Sequence, residues 1–340
     1  MKLHHYTYTL ELKNAFTISH SSRTTTSAVM VELEHEGIIG YGEASLPPYL
    51  NETVESVHGF LSTIDLEKYT DLLKVEHILD DIDRNSPANT AAKAAFDIAL
   101  HDWVGKRIGY PWYKIWGLSF DTIPDTSYTI GIDTIDKIRQ KTLEASPYKS
   151  LKVKLGHKND KEIIRVIRDV SAVPIRVDVN QGWVDKYYAV DMIGWLAEQN
   201  VEFIEQPLPV ELLDDTAWIR ERSPIPIVAD ESIQRSQDIM HITGAFDGIN
   251  IKLMKCTGLR EAYRMILIAK AHGLKVMLGC MTESSCAISA AAQLSPLADW
   301  VDLDGALLVA NDPFVGAKFL NGKIIPSDES GIGCKKIAGG

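Results

Sequence analysis

The feature that most constrains this chain is a repeat of short β-branched runs that begins after Pro124. TSYTIGI, SLKVKL, IRVDVN, VEFIE, IPIVAD, GINIKL, LKVMLG and WVDLD follow one another, separated by amphipathic stretches of helical period. Each run is the length of one strand, and each interval can hold one crossover helix. Repeated βα units require a parallel sheet, because parallel neighbours cannot be joined by a tight hairpin. Eight of them predict closure into a (β/α)8-type barrel, since an open doubly wound sheet usually stops earlier.

The residues in front read differently. Leu3 to Leu12, Ser27 to His35 and Ile38 to Ser45 alternate in the strand manner, with Glu36-Gly37 as a hairpin turn between the last two. From Asn51 to Trp116 the period is helical. Asn51-Glu-Thr-Val opens one helix, and Ala88 to Gly105 is an Ala-rich helix ended by glycine. Strands followed by helices indicate an α+β unit. The predicted organisation is an α+β capping domain over 1–118, a barrel over 119–315, and a tail over 316–340 that packs back on the capping domain.

Composition removes several classes of function. With 35 Lys and Arg against 46 Asp and Glu, the formal charge of −11 argues against a nucleic-acid binder, whose affinity comes from cationic side chains. No apolar run reaches the roughly 18 residues of a membrane span, and the N-terminus lacks a signal-peptide core. Cys256, Cys280, Cys286 and Cys334 form no CxxC pair, which suits free thiols in a reducing compartment, the cytoplasm. Phosphate-binding glycine fingerprints and a G-x-S-x-G elbow are absent, and the histidines do not cluster.

Barrel chemistry sits at the C-terminal ends of the strands. Lys154, Asp178, Glu205, Asp230 and Lys252 fall at consecutive strand ends, at intervals of 24, 27, 25 and 22 residues. Parity aims Lys152 and Lys154 to one face while Leu151, Val153 and Leu155 face the helices; Asn250 and Lys252 stand likewise against Ile249, Ile251 and Leu253. Asp178 and Asp230 are each explicable as helix caps, and Glu205 as a residue before a proline turn. Three carboxylates in register on adjacent strands, however, repel one another unless a cation joins them. Oxygen-only ligation suits Mg²⁺, with Mn²⁺ as a substitute.

The lysines then acquire roles. Lys154 and Lys252 flank the carboxylate strands and face each other across the metal position. A carboxylate substrate chelating Mg²⁺ has its α-proton acidified, because the ion stabilises the enediolate. One neutral lysine removes the proton and one protonated lysine returns it on the opposite face, which fits racemisation or epimerisation. Positive neighbours (the metal, Lys152, Lys255) are expected to depress at least one lysine pKa. Lys255 itself reads as a solvent-facing loop residue.

Lys152-Val-Lys154, Asp178-Val-Asn180-Gln181, Glu205-Gln206-Pro207, Ala229-Asp230-Glu231-Ser232 and Ile251-Lys252 resemble the motif series of the enolase superfamily, specifically its muconate-lactonizing subgroup. The resemblance covers essentially the whole chain and implies an enolase-like barrel with a capping domain. Asp302-Leu-Asp304 is similar to the pair with which dipeptide epimerases hold a substrate α-ammonium. Arg23, in the segment TISHSSRTTTS read as a loop over the barrel mouth, resembles the arginine that recognises the glutamate side chain in L-Ala-D/L-Glu epimerases. By the same resemblance Lys152 contacts the substrate carboxylate, and Glu283 orients that carboxylate or a neighbouring lysine. The family often has a double glycine after the strand-six lysine, where this chain has Thr257-Gly258.

The favoured expectation is therefore a Mg²⁺-dependent dipeptide epimerase acting on the C-terminal residue of L-Ala-D/L-Glu or a similar dipeptide. Its partner is a small-molecule dipeptide, with no nucleic acid and no membrane; barrels of this type often associate, so a homo-oligomer is compatible. A cycloisomerase, o-succinylbenzoate synthase or N-acyl amino acid racemase is the alternative that Asp302 and Asp304 argue against. A non-enzymatic binding protein is the alternative that two opposed lysines argue against.

Overall fold

The computed structural model describes residues 1–18, 21–121 and 123–337. Its N-terminal unit opens with an antiparallel sheet of β1 (Lys2–Ile18), β2 (Ser21–His35) and β3 (Ile38–Ser45). Glu36 and Gly37 take φ of 49° and 73°, the left-handed pair whose twist suits a two-residue hairpin. The first hairpin is longer than its sequence pattern implies. TISHSSRTTTS is not an irregular loop: after a register shift between Glu11 and Phe16, β1 and β2 stay paired as far as Ile18 opposite Ser21. Polar composition concealed it, yet Thr24, Thr25 and Thr26 are β-branched and favour a ladder. Ser19 and His20, within the segment read as loop, lie outside the described residues.

Four helices follow among the described residues: α1 (Val54–Leu61), α2 (Val75–Arg84), α3 (Thr90–Ile108) and α4 (Trp112–Ile115). Thr53 caps α1, as the Asn51-Glu-Thr-Val signal predicts, by accepting from Ser56 N at 3.2 Å while Ser56 Oγ accepts from Thr53 N at 2.9 Å. Helix α3 runs past its expected end, because Gly105 is helical and the stop is Gly109 at φ 85°. Gly105 serves a close approach instead: a Cβ there would lie 2.6 Å from Gly331 Cα in the tail. The face of α3 that meets the sheet is equally tight. Gly40 and Gly42 of β3 lie against Ala99 and Ala95, and a Cβ on Gly42 would sit 1.9 Å from the Ala95 carbonyl oxygen.

The barrel strands are β4 (Tyr128–Ile130), β5 (Leu151–Lys154), β6 (Ile175–Asp178), β7 (Val201–Glu205), β8 (Ile227–Ala229), β9 (Gly248–Ile251), β10 (Lys275–Gly279) and β11 (Trp300–Asp302). Each pairs in parallel with its sequence neighbours, and a parallel bridge between Thr126 and Val301 links the first strand's segment to the last. Outside them run α5 (Ile135–Glu144), α6 (Asp160–Arg168), α7 (Lys186–Ala197), α8 (Leu213–Arg220), α9 (Ile239–Ile242), α10 (Leu253–Cys256), α11 (Leu259–Ala271) and α12 (Ser285–Ala292). Phe203, Val228 and Met277 form a separate apolar cluster. They stand two residues before Glu205, Asp230 and Gly279 on their strands, so by parity this apolar layer floors the barrel mouth.

The tail adds β12 (Phe314–Val315), β13 (Lys318–Leu320), β14 (Lys323–Ile325) and β15 (Lys335–Lys336), paired 12 with 15 and 13 with 14. It touches the N-terminal unit, where Ile332 N donates to the Asp102 carboxylate at 3.0 Å and Trp112 N donates to Gly331 O at 3.1 Å. Two carboxylates of the N-terminal unit cap the starts of barrel helices. Asp97 of α3 accepts from Leu259 N (2.6 Å) and Arg260 N (3.3 Å) at the start of α11. Glu43 of β3 accepts from Ser284 N (2.9 Å), Ala287 N (3.3 Å) and Ser284 Oγ at the start of α12. Each satisfies helix N–H groups that have no partner within their own helix, a contribution of about 1 kcal/mol apiece. The four cysteines are free thiols, and among the described residues no helix is long and apolar enough to cross a membrane.

Candidate active site

The strand register brings the predicted charges together. Lys154 pairs with Asp178 and Asp178 with Glu205, while Glu205 pairs with Val228, two residues before Asp230 on the same face. One carboxylate oxygen from each of Asp178, Glu205 and Asp230 lies within 4.8 Å of the others, and all three residues are buried. Left-handed residues follow two of the strand ends, Asn180 at φ 46° and Gln206 at φ 39°, turning the chain away after Asp178 and Glu205. The buried Gln206 amide then ties β7 to β8, its Oε1 accepting from Asp230 N (3.0 Å) and Ser232 N (3.1 Å). Parity holds as expected: Leu151, Val153, Leu155, Ile249, Ile251 and Leu253 join the main apolar core.

The six carboxylate oxygens divide into two sets. Asp178 Oδ1 accepts from Asn180 N at 3.0 Å, Glu205 Oε1 from Asn250 Nδ2 at 2.7 Å, and Asp230 Oδ1 from Lys255 Nζ at 2.5 Å. The other oxygens meet the lysines expected to face the mouth. Lys154 Nζ is 2.6 Å from Asp178 Oδ2, and Lys252 Nζ is 2.6 Å from Asp230 Oδ2. Lys152 Nζ lies 3.1 Å from Asp178 Oδ2, 2.8 Å from Glu205 Oε2 and 2.8 Å from Asp302 Oδ2. Glu205 Oε2, despite that ammonium, has no directed hydrogen-bond donor. A buried oxygen in that state, in an all-oxygen trio of acids, is what a hard divalent cation fits.

Lys255 corrects the sequence reading. It is 1% exposed, not a solvent-facing loop residue, and its ammonium also donates to Asp230 O at 2.6 Å and Asn250 O at 3.0 Å. The short helix α10 turns it back under the site, a reversal that strand parity does not describe. The left-handed turn that ends α10 places Thr257 at φ 72° and Gly258 at φ 111°, a conformation that glycine adopts without steric cost and threonine does not. At Gly258 a Cβ would also strike the Asp97 carboxyl group.

The protein's own charges set the protonation of the cluster. Burial pushes Asp178 up, but Lys154 and Lys152 overcome it and hold its pKa at about 2. Burial likewise opposes ionisation of Asp230, and Lys252 and Lys255 hold it well below the usual carboxylate range. Glu205 rises to about 7 through burial and the nearby Asp178. The expected depression of a catalytic lysine is not produced by protein groups at Lys252: burial lowers it, but Asp230 outweighs that and the net shift is upward. At Lys255 burial prevails and the shift is downward.

Arg23, Lys152, Lys154, Asp230, Lys252, Asp302 and Asp304 line one cavity at the mouth. Arg23 reaches it from the extended hairpin, its Nη2 donating to Thr282 Oγ1 at 3.0 Å, and it forms no ion pair among the described residues. Asp302 accepts from Ser127 Oγ at 2.6 Å, and its pKa is lowered because Lys152 outweighs burial. Asp304 accepts from Thr129 N at 2.7 Å and is raised to about 7 by burial and by Asp302. Glu283 is placed differently from the others. It is buried, accepts from Met281 N at 3.1 Å, pairs with no lysine among the described residues, and is pushed up to about 8 by burial and Glu43.

Tyr49 and Glu231 also line the cavity, and the sequence assigned neither a role. Tyr49, in a single turn after β3, donates its hydroxyl to Met281 Sδ at 3.1 Å; nothing in PPYL signals a site. Glu231 accepts from Asn180 Nδ2 at 3.3 Å and is raised to about 7 by burial and Asp230. Its neighbour Asp230 carried the strand-end signal, which masked it.

Comparison with known proteins agrees with this geometry. The chain is 57% identical over 338 residues to the L-Ala-D/L-Glu epimerase of Bacteroides thetaiotaomicron, covering 99% of this chain and 88% of that one. It is 40% identical over 309 residues to an L-Ala-D/L-amino acid epimerase of Maribacter sp., covering 90% of each. Among solved structures, the substrate-liganded L-Ala-D/L-Glu epimerase of Bacillus subtilis superposes with a TM-score of 0.93 at 27% identity, over 99% of this chain and 98% of that one. The Enterococcus faecalis dipeptide epimerase, complexed with Mg and L-Leu-L-Tyr, gives 0.90 at 30% identity over 98% of both. Residues 5–117 match the mandelate racemase / muconate lactonizing enzyme N-terminal domain, and residues 134–335 match the enolase C-terminal domain-like family. With both halves matched in order, the chain belongs to the mandelate racemase and muconate lactonizing enzyme family of the enolase superfamily.

Proposed function

We propose that this chain is a Mg²⁺-dependent dipeptide epimerase that inverts the α-carbon of the C-terminal residue of L-Ala-D/L-Glu or a similar dipeptide. The observation that carries the reading is the position of Lys154 at the end of β5 and of Lys252 just past β9, on either side of three carboxylate-bearing strands, each ammonium bonded to an acid of the trio. Asp178, Glu205 and Asp230 would hold the ion, with Mn²⁺ as the expected substitute. When bound, the ion supplies positive charge against the negative charge that builds on the substrate carboxylate as the α-proton leaves. Lys154 and Lys252 take the proton from one face and return it to the other, each serving as base for one isomer. Lys152 neutralises the acids and would meet the substrate carboxylate beside them.

Asp302 and Asp304 supply the negative end of the cavity, which suits a dipeptide's free ammonium and disfavours a carboxylate at that end. Arg23, a guanidinium at the rim without a carboxylate partner among the described residues, supplies the complementary site for an acidic side chain. The name of the Bacteroides relative points the same way. The deciding experiment is incubation with Mg²⁺ and L-Ala-L-Glu in D₂O, with α-proton exchange and stereochemistry followed by NMR. Exchange with inversion at the C-terminal residue is expected; no exchange with any dipeptide would sink the reading.

Two variants separate the recognition roles. Asp304→Asn should raise KM for dipeptides about tenfold or more, the loss expected for one charged hydrogen bond, and spare N-acylated analogues. Equal losses on both substrate types would contradict the ammonium assignment. Arg23→Leu should cost L-Ala-L-Glu more than tenfold in kcat/KM while leaving L-Ala-L-Leu within a fewfold. Parallel losses would show that the arginine supports the hairpin and does not read the side chain.

A further inference from the structure

Each acid of the trio has one oxygen committed to a protein donor and one turned toward the mouth. The three donors differ in kind. Asn180 N and Asn250 Nδ2 are neutral, whereas Lys255 is a buried ammonium whose three N–H groups meet three acceptors, Asp230 Oδ1, Asp230 O and Asn250 O. An ammonium with all its donors used has no rotational freedom left. It grips Asp230 by both side chain and backbone, and its Asn250 contact lies in the residue whose amide holds Glu205. Lys255 does not line the cavity, so it touches neither substrate nor the face of Asp230 that Lys252 meets.

We propose that Lys255 is a positioning residue that makes this site selective for Mg²⁺ over Ca²⁺ by restricting Asp230 to single-oxygen ligation. The inference rests on the metal reading given above and deepens it. Mg²⁺ demands near-octahedral geometry with about six ligands, which single-oxygen carboxylates suit. Ca²⁺ takes about 6–8 oxygens and gains from carboxylates that bind through both. With Oδ1 held by Lys255, Asp230 cannot offer a second oxygen. Removing the lysine frees that oxygen and also deletes a positive charge. The charge loss strengthens binding of both ions, so the affinity ratio isolates the geometric effect.

The test is direct titration of the full-length protein with MgCl₂ and with CaCl₂ by calorimetry, without substrate, on the wild type, Lys255→Met and Lys255→Gln. Wild type should bind Mg²⁺ about tenfold more tightly than Ca²⁺ or better. Lys255→Met should shift the ratio toward Ca²⁺ by about tenfold, and Lys255→Gln, which keeps a donor for one acceptor, should shift it less. A circular-dichroism melt identifies which variant is folded. An unchanged ratio in whichever variant folds would overturn the proposal, as would a wild type that prefers Ca²⁺. Wild type that binds neither ion would overturn the metal reading with it, whereas Mg²⁺ binding with an unmoved ratio overturns this proposal alone.

Discussion

Lys154→Ala and Lys252→Ala should each lose epimerisation by at least about a thousandfold, the upper range for a positioned general acid or base. The two variants should differ in what survives. With one lysine left, the isomer whose α-proton faces it can still exchange with D₂O, so each variant should exchange one diastereomer and invert neither. Retained inversion in either variant would contradict the two-base scheme. Each ammonium also pairs with a buried carboxylate, and stranding such a partner costs about 3–5 kcal/mol. Melting temperatures, with and without saturating Mg²⁺, therefore belong beside the rates, and Lys→Gln variants preserve a donor toward Asp178 or Asp230.

Gly42→Ala should destabilise the fold by about 3 kcal/mol or more, at the top of the range for overpacking. The new Cβ would fall 1.9 Å from the Ala95 carbonyl oxygen and 3.0 Å from Ala99 N. Both are helix backbone, so no rotamer change relieves the clash, and β3 must part from α3. Gly59→Ala is the control, because in α1 its Cβ meets nothing within 4 Å and helix propensity favours alanine by about 1 kcal/mol. Urea denaturation checks both: a lower midpoint for Gly42→Ala, unchanged or higher for Gly59→Ala. Equal midpoints would mean that the sheet and helix are not packed as described.

Much of the site was legible because strand chemistry is periodic. Residues two apart share a face, so parity alone aims Lys152 with Lys154 and Asn250 with Lys252 inward, and the eightfold repeat sets Asp178, Glu205 and Asp230 at one depth. What escaped lay beyond the strands. Lys255 follows a helical turn, where the period of two no longer applies, and only the fold shows it doubling back beneath Asp230. The Arg23 arm was hidden because serine and threonine read as loop even when they pair. Gly105 was misread as a helix stop because a glycine needed for a close approach and one needed for a positive φ look alike in sequence. Glu283 sat in a promising segment, MTESS, yet its carboxylate turns back to its own loop.

The reach of Asp97 and Glu43 into the barrel bears on what counts as a unit in this chain. A domain drawn along the sequence at about residue 118 separates two helices from the acids that finish their first turns. The barrel is thus continuous in chain but incomplete in hydrogen bonding. One of those helices begins just after Lys252 and Lys255, and the other just after Thr282, the residue that Arg23 grips. Any motion that lifts the N-terminal unit from the barrel must therefore uncap the elements next to the reacting groups. Opening the mouth wide and loosening the frame that carries Lys252, Lys255 and Thr282 would be one event.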